Sequence, residues 1–156
     1  MSNVFSRRTP IDDGYATCVE TRAKLLIYPG DFSPHEVTRR LGVEPTKVNI
    51  LGEEVVNKLG RRRVTKNNGW FLSSEGQVTS LDLRRHIDWI LHHVSPKATE
   101  LAALQAIPGL KMSVDCVWHS RSGHGGPTLW PEQMRALADL NLECSFDIYF
   151  FGDDDE

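Results

Sequence analysis

The segment with the clearest potential for chemistry is a glycine-rich stretch between a predicted strand and a predicted helix. Residues 122–128 read Ser-Gly-His-Gly-Gly-Pro-Thr. Glycines ahead of a helix can turn backbone N–H groups towards an anion, helped by the positive end of the helix dipole. The spacing matches neither a P-loop nor the dinucleotide-binding pattern. Two interpretations stay open, a tight turn that needs positive φ, which is favoured, and a small-anion site. That site would use Gly123, His124, Gly125, Gly126 and Thr128.

Thiol and imidazole groups at Cys116, His119 and His124 are a second candidate. Residues 116 and 119 have opposite parity in an extended strand, so their side chains point to opposite faces of a sheet. A metal site needs three or four convergent ligands, and a nucleophilic cysteine needs an adjacent base. The sequence therefore predicts no catalytic residue, no metal site and no cofactor.

Polar side chains at alternate positions of the predicted strands are the third candidate. They lie opposite the apolar positions, and a sheet with helices on one side leaves this second face open. An open face favours contact with another protein, and the alternative is a solvated face with weak cross-strand ion pairs. The positions concerned are Arg22, Lys24, Asp115, Asp147 and Tyr149, beside Glu20, His119, Glu143 and Ser145.

The basic cluster at residues 61–63, with Lys58, Lys66 and the following Trp70, has the mixture of cations and aromatics that a single-stranded nucleic-acid site uses. The whole chain, however, has 18 basic and 21 acidic side chains and a formal net charge of -3. Nucleic-acid-binding domains are usually strongly basic. A solvated loop is the favoured interpretation, and nucleic acid is not expected as a partner.

The elements that must position these residues follow from apolar periodicity and capping signals. Alternating apolar residues and aromatic runs predict strands over 16–28, 69–74, 111–119 and 142–151. Apolar residues at helical spacing predict helices over 34–41, 81–94, 96–106 and 131–140. The starts are marked by Ser33-Pro34, by Ser80 as a cap, and by Pro96 and Pro131, and Gly42 marks the end of the first helix. Between them, 43–68 is a long polar connection with a short ribbon near 53–56 and 61–65.

The order strand–helix–strand occurs twice with two helices between, which indicates a duplication and an α+β fold. If the chain reverses its direction between consecutive elements, the first two strands are parallel to each other and the last two run in the opposite direction. We therefore expect a ferredoxin-like fold, with one four-stranded mixed or antiparallel sheet, helices on one face and a helical pair inserted between the halves. Residues 1–13 are expected to be a disordered lead-in, 14–152 a single domain and 153–156 an acidic tail.

An ordered set of short segments carries a resemblance to a known family. The segments are Gly30–Phe32, Leu41–Thr46, Gly69–Trp70, Leu83–His86, Trp89–Leu91, Cys116–Trp118, Gly123–Pro127 and Asp147–Phe150. Over about residues 14–152 the chain resembles the bacterial domain of unknown function 4279 family. The resemblance implies a small, usually single-domain cytosolic protein with no assigned activity. One position departs from the family pattern, because Trp130 precedes Pro131 where Ser or Thr is usual, so a hydroxyl cap is not expected there.

Length and composition limit the class of protein. A chain of 156 residues with 40% apolar and 25% charged residues is typical of one soluble domain. No apolar run approaches the roughly 20 residues of a membrane span, and no membrane association is expected. Three cysteines without a Cys-x-x-Cys motif suit a reducing cytoplasm.

These observations favour a non-catalytic cytoplasmic protein-binding module, of an immunity type by analogy, that uses the open sheet face and the 43–68 loop. The alternative is small anionic ligand binding or an enzymatic role at residues 122–128. Oligomeric state stays open.

Overall fold

The computed structural model describes residues 6–152, so the predicted acidic tail and the first five residues lie outside the described residues. The helices in this part are α1 (Pro34–Leu41), α2 (Leu83–Val94), α3 (Ala98–Gln105) and α4 (Pro131–Asp139), with a 3-10 turn at Ser95–Lys97. The strands are β1 (Cys18–Tyr28), β2 (Lys47–Asn49), β3 (Glu54–Val56), β4 (Arg62–Val64), β5 (Gly69–Ser73), β6 (Lys111–Ser120) and β7 (Glu143–Tyr149).

Five of these strands form one mixed sheet in the order β2-β5-β1-β6-β7. Strand β1 is antiparallel to both of its neighbours, β5 and β6, and β2 is antiparallel to β5. Strands β6 and β7 are parallel, and α4 connects them. The remaining strands, β3 and β4, pair with each other in a separate two-stranded ribbon.

The predicted ferredoxin-like sheet of four strands is not confirmed, because β2 adds a fifth strand. This strand has only three residues, too few to show an alternating pattern, and it forms by pairing with β5. It also adds one reversal of the chain between β1 and β5. The prediction that these two strands are parallel is therefore wrong, and the two halves differ in topology. The shared direction of β6 and β7, and the inserted pair α2–α3, agree with the prediction.

The core lies between one face of the sheet and the helices. Alternate residues of β1 (Ala23, Leu25 and Ile27) are fully buried against apolar side chains of all four helices. The core residues that the helices contribute include Val37, Leu41, Leu83, Ile87, Ile90, Val94, Leu101, Leu104 and Leu137. Burying one such side chain stabilises the fold by about 1.5–3 kcal/mol, so the helices are held firmly on this face of the sheet. The opposite face carries no helix in the described chain.

Local signals in the sequence account for most helix ends. The Ser33 side chain accepts a hydrogen bond from the backbone N–H of His35, and Gly42 ends α1 with φ 66°. At α2 the cap is Asp82, and Ser80 instead accepts a hydrogen bond from the Asp82 N–H. At α4, where Trp130 offers no hydroxyl, the side chain of Gln133 accepts the Trp130 N–H at 2.8 Å.

The segment before β1 is attached to α2 through a buried charge. Arg84 is fully buried, pairs with Asp82 at 2.6 Å and donates hydrogen bonds to the carbonyls of Thr9 and Pro10. The Trp130 ring lies 4.9 Å from the same guanidinium. A buried guanidinium needs hydrogen-bond acceptors. Arg84 therefore holds Thr9 and Pro10 against α2, although both lie in the segment that is predicted to be a disordered lead-in.

Candidate functional site

Strand register places the predicted polar positions on one face of the sheet, opposite the helices. Across β1 and β6, Glu20 lies beside His119 and Lys24 beside Asp115. Across β6 and β7, Asp115 lies beside Ser145 and His119 beside Tyr149. We call this surface the open face; it comprises Glu20, Arg22, Lys24, Leu26, Tyr28, Lys47, Asn49, Phe71, Ser73, Lys111, Ser113, Asp115, Val117, His119, Glu143, Ser145, Asp147 and Tyr149.

Three grooves meet at Tyr28, the last residue of β1, which is 40% exposed. The first, of about 480 Å³, runs from Tyr28 to Lys66 and Lys111. The second, of about 390 Å³, runs along the sheet over Lys24 and Lys47. The third, of about 510 Å³, separates Tyr28 from the base of the β3–β4 ribbon. We call these three the Tyr28 grooves; they join the open face to the 43–68 segment.

Cations without carboxylate partners line the Tyr28 grooves. Asp31 and Glu75 are the acidic side chains that also line them. Across residues 6–152, none of the lining cations has a carboxylate oxygen within 4.0 Å. They are Lys24, Lys47, Arg63, Lys66 and Lys111. Within residues 6–152, this end of the open face therefore carries cations that form no ion pair.

Phe71 forms the floor of the second groove. Its ring covers the backbone of Gly69, where a Cβ atom would lie 2.5 Å from the ring. The Lys24 ammonium lies 5.6 Å from the ring centroid, and Tyr28 meets the ring edge at 5.7 Å. Glycine at position 69 thus lets an aromatic ring lie flat on the open face and hold Lys24 and Tyr28 in place.

The other end of the open face, on β6 and β7, is acidic. Asp115 accepts a hydrogen bond from the Ser145 hydroxyl at 3.1 Å. Partial burial, and then the neighbouring Asp147 carboxylate, raise the pKa of Asp115. Glu20 lies 3.3 Å from Arg22 and 3.7 Å from His119. The open face therefore carries the carboxylates of Asp115, Glu143 and Asp147 on β6 and β7, whereas its cations that are unpaired within residues 6–152 lie around Tyr28.

The glycine-rich loop is folded onto its own chain. Gly123 and Gly125 have φ of 87° and 86°, as a tight turn requires. The Gly123 N–H donates to the Ser120 hydroxyl, and the Tyr15 hydroxyl donates to the Gly126 carbonyl at 2.7 Å. Thr128 lies 2.8 Å from the same tyrosine hydroxyl, and His124 is exposed with its Nδ1 2.9 Å from Ser122. Because α4 begins only at Pro131, the loop does not form its N-terminus.

Buried reactive side chains are held in structural contacts. Ser74 Oγ lies 2.7 Å from His86 Nδ1, but both residues are buried, and the same oxygen accepts the Ala23 N–H. Cys116 is fully buried on the core side with its sulfur 3.8 Å from that of Cys144, whereas His119 lies on the open face. Within the described chain, no three His, Cys, Asp or Glu side chains are placed to hold a metal ion.

The predicted site residues therefore fall into two places. Arg22, Lys24, Asp115, Asp147 and Tyr149 share the open face. Gly123, His124, Gly125, Gly126 and Thr128 lie in the loop after β6. Asp115 is five residues before the end of β6, a distance of about 16 Å along the strand, so it does not join His124.

Sequence reasoning missed Tyr28 and did not connect the 43–68 cations with the sheet. The parity of Arg22 and Lys24, continued to residue 28, would have placed the tyrosine on the same face. Arg63 and Lys66 lie near Tyr28 because β2 joins the sheet beside β5. With only three residues, β2 has no alternating pattern by which the sequence could predict it.

Comparison with known proteins yields one match. The family described as "Domain of unknown function (DUF4279)" matches residues 19–151 of the chain. No curated protein and no solved structure matches it. Among residues 6–152 there is also no helix with the length and apolar character that crossing a membrane requires.

Proposed function

Because the chain belongs to the DUF4279 family, whose description assigns no activity, we propose that it is a non-catalytic module that binds an acidic segment of another protein in the Tyr28 grooves. The observation that carries the proposal is the set of five cations around an exposed tyrosine that form no ion pair within the described residues 6–152. Positive charge left unneutralised on a concave surface attracts carboxylates and speeds their encounter with it.

The ribbon supplies an apolar contribution to the same surface. Leu51 and Val64, at its base, line the first and third grooves and are 49% and 60% exposed. Tyr28 adds an aromatic ring with a polar end, a side chain that is enriched at protein interfaces. A partner that combines carboxylates with apolar side chains therefore fits better than an inorganic anion.

The polarity of the open face argues for a protein rather than a nucleic acid. A long polyanion lying on the sheet would meet Asp115, Glu143 and Asp147 beyond the basic end. Like charges across an interface are unfavourable, whereas a protein segment can carry both signs of charge. The alternative of anion binding at residues 122–128 has less support, because hydrogen bonds from Tyr15 and Ser120 already close that loop.

The same proposal places the module in the cytoplasm. Cys18, Cys116 and Cys144 are free thiols. Burial raises the pKa of Cys18 to about 11, so it carries little reactive thiolate near neutral pH. Free thiols of this kind persist in reducing compartments.

A defined acidic peptide tests the proposal. Titration with a peptide that alternates Glu and Leu, followed by amide NMR, is expected to shift signals at Tyr28, Lys66 and Lys111 more than elsewhere. The double variant Lys66→Glu/Lys111→Glu should bind at least tenfold more weakly, and added salt should weaken the wild type in the same direction. Arg135→Glu, an equal charge change per site on exposed α4, is the matched control and should bind as the wild type does. Shifts centred on residues 122–128, or none in the grooves, would contradict the proposal.

A further inference from the structure

Strand β7 is an unprotected edge of the sheet. It pairs with β6 on one side, and no strand lies beyond it within residues 6–152. Its outer backbone N–H and C=O groups are therefore available for pairing with another strand. Natural proteins usually protect such edges by short length, by a bulge or by covering them. Here the strand has seven residues, and its pairing with β6 runs without a register shift.

Large apolar side chains are exposed on both faces of this strand and its extension. On the helix side, Phe146, Ile148 and Phe150 are 41%, 52% and 48% exposed. On the open-face side, Tyr149 and Phe151 are 42% and 77% exposed and stack with ring centroids 6.1 Å apart. Consecutive aromatic and β-branched side chains beside a free edge are typical of a surface that is covered in the working protein.

We propose that β7 pairs antiparallel with β7 of a second copy, about a twofold axis at Phe146, so that the two sheets become one. A twofold interface brings the same patch of both copies together and therefore requires a self-complementary patch. The order of side chains along β7 meets this requirement in one register particularly well.

With the axis at Phe146, Cys144 lies opposite Ile148 and Phe146 opposite itself, all on the helix side. On the other side, Ser145 lies opposite Asp147 and Glu143 opposite Tyr149, so no two like charges face each other. A shift of the axis to Ser145 would place Glu143 opposite Asp147, and like charges directly opposite each other destabilise a strand pair. The charges of β7 thus select the Phe146 register over its neighbour.

The available area is also sufficient for a second copy. An aromatic side chain presents about 200 Å² when fully exposed, so the five exposed apolar side chains together offer roughly 500 Å² per copy. Edge backbone and the polar side chains of β7 add to this figure. The sum reaches the lower end of specific interfaces, about 600 Å² per partner. The proposal concerns a surface separate from the Tyr28 grooves and does not depend on acidic-peptide binding.

Sedimentation equilibrium of the full chain tests the pairing. At about 100 µM, well above a micromolar dissociation constant, we expect twice the mass of the 17.6 kDa chain. Ile148→Lys, which introduces a charge at a half-exposed site, should sediment as a single chain that is still folded, with the circular dichroism spectrum of the wild type. Val56→Lys, at a comparably exposed site on the ribbon, should remain a dimer. A wild type that stays a single chain, or a dimer lost in Val56→Lys and kept in Ile148→Lys, would overturn the proposal.

A charge pair at position 145 tests the register. Ser145→Lys would face Asp147 of the second copy and should tighten dimerisation several-fold, whereas Ser145→Glu should weaken it to a similar extent. Equal dissociation constants for these two variants would exclude the Phe146 axis. Lys66→Glu/Lys111→Glu should dimerise as the wild type does, which separates this result from that of the acidic-peptide experiment.

Discussion

Most buried polar side chains within residues 6–152 make hydrogen bonds inside the chain, and His86 is the clearest case. Its Nδ1 accepts a hydrogen bond from the Ser74 hydroxyl, and its Nε2–H donates to the Ser80 carbonyl, both at 2.7 Å. Ser74 in turn accepts the Ala23 N–H. The histidine therefore joins β1, the end of β5 and the start of α2 in its neutral form.

This arrangement predicts a loss of stability in mild acid. Burial lowers the pKa of His86 below its usual 6.5. As the pH falls below about 6.5, the unfolded chain takes up a proton at this residue that the folded chain does not, so the free energy of unfolding decreases by up to about 1.4 kcal/mol per pH unit. Urea unfolding measured between about pH 5 and pH 7.5 should show this slope.

His86→Gln provides the control for this prediction. The variant should be less stable at neutral pH, because buried hydrogen bonds are lost, but its stability should vary less with pH across the same window. An equally steep slope in the variant would assign the acid sensitivity to other groups.

At the scale of elements, the shape of the loop between β6 and α4 depends on the conformation of its glycines. Gly125 has φ 86°, and a Cβ atom there would lie 2.5 Å from the Thr17 hydroxyl oxygen. Gly126 has no left-handed φ and no neighbouring atom within 4 Å of a Cβ position. Two adjacent glycines thus differ in their structural role.

Alanine substitutions are expected to separate the two positions. Gly125→Ala should destabilise the fold by about 1–3 kcal/mol, because it combines backbone strain with a steric clash. Gly126→Ala should change stability by less than about 1 kcal/mol, because the added methyl group meets no neighbouring atom and the unfolded chain loses some freedom. Thermal or urea unfolding measures both, and equal effects would contradict a turn that depends on Gly125.

The elements that the sequence predicts well are those with a local physical cause. Ser33, Pro34 and Gly42 fix α1 at the predicted residues 34–41. Alternation along β1, β6 and β7 assigns the correct residues to the open face. Strand β2 has no such cause, because its three residues become a strand only by pairing with β5. Without β2, the predicted direction of β5 is opposite to the observed one. For the same reason, the sequence does not predict that the cations of residues 43–68 lie near Tyr28.

At the scale of the whole molecule, a compact sheet-and-helix body carries a projecting ribbon. Strands β3 and β4 pair with each other and not with the main sheet. Every residue of both strands is exposed, and Leu59 near the turn is 80% exposed. Such a projection contributes little to the core, and the peptide bonds that follow its Lys and Arg residues are accessible to proteases.

Limited trypsin digestion should therefore cut the ribbon first, at Lys58 or within Arg61–Arg63. The two fragments should co-elute under native conditions, because β1 precedes the cut and pairs with β5 and β6, which both follow it. Replacing the four basic residues with glutamine should delay the first cut. Mass spectrometry identifies the site, and a first cut inside a helix of the main body would contradict this division of the molecule.

The central position of β1 also constrains how the chain is made. This strand ends at Tyr28, but its partner β6 begins only at Lys111. During synthesis, most of the chain must leave the ribosome before β6 can pair with β1 and the apolar residues of β1 can be buried. Contacts so distant in sequence slow folding and lengthen the time for which apolar surface is unprotected. The nascent protein should consequently depend on chaperones more than its small size suggests.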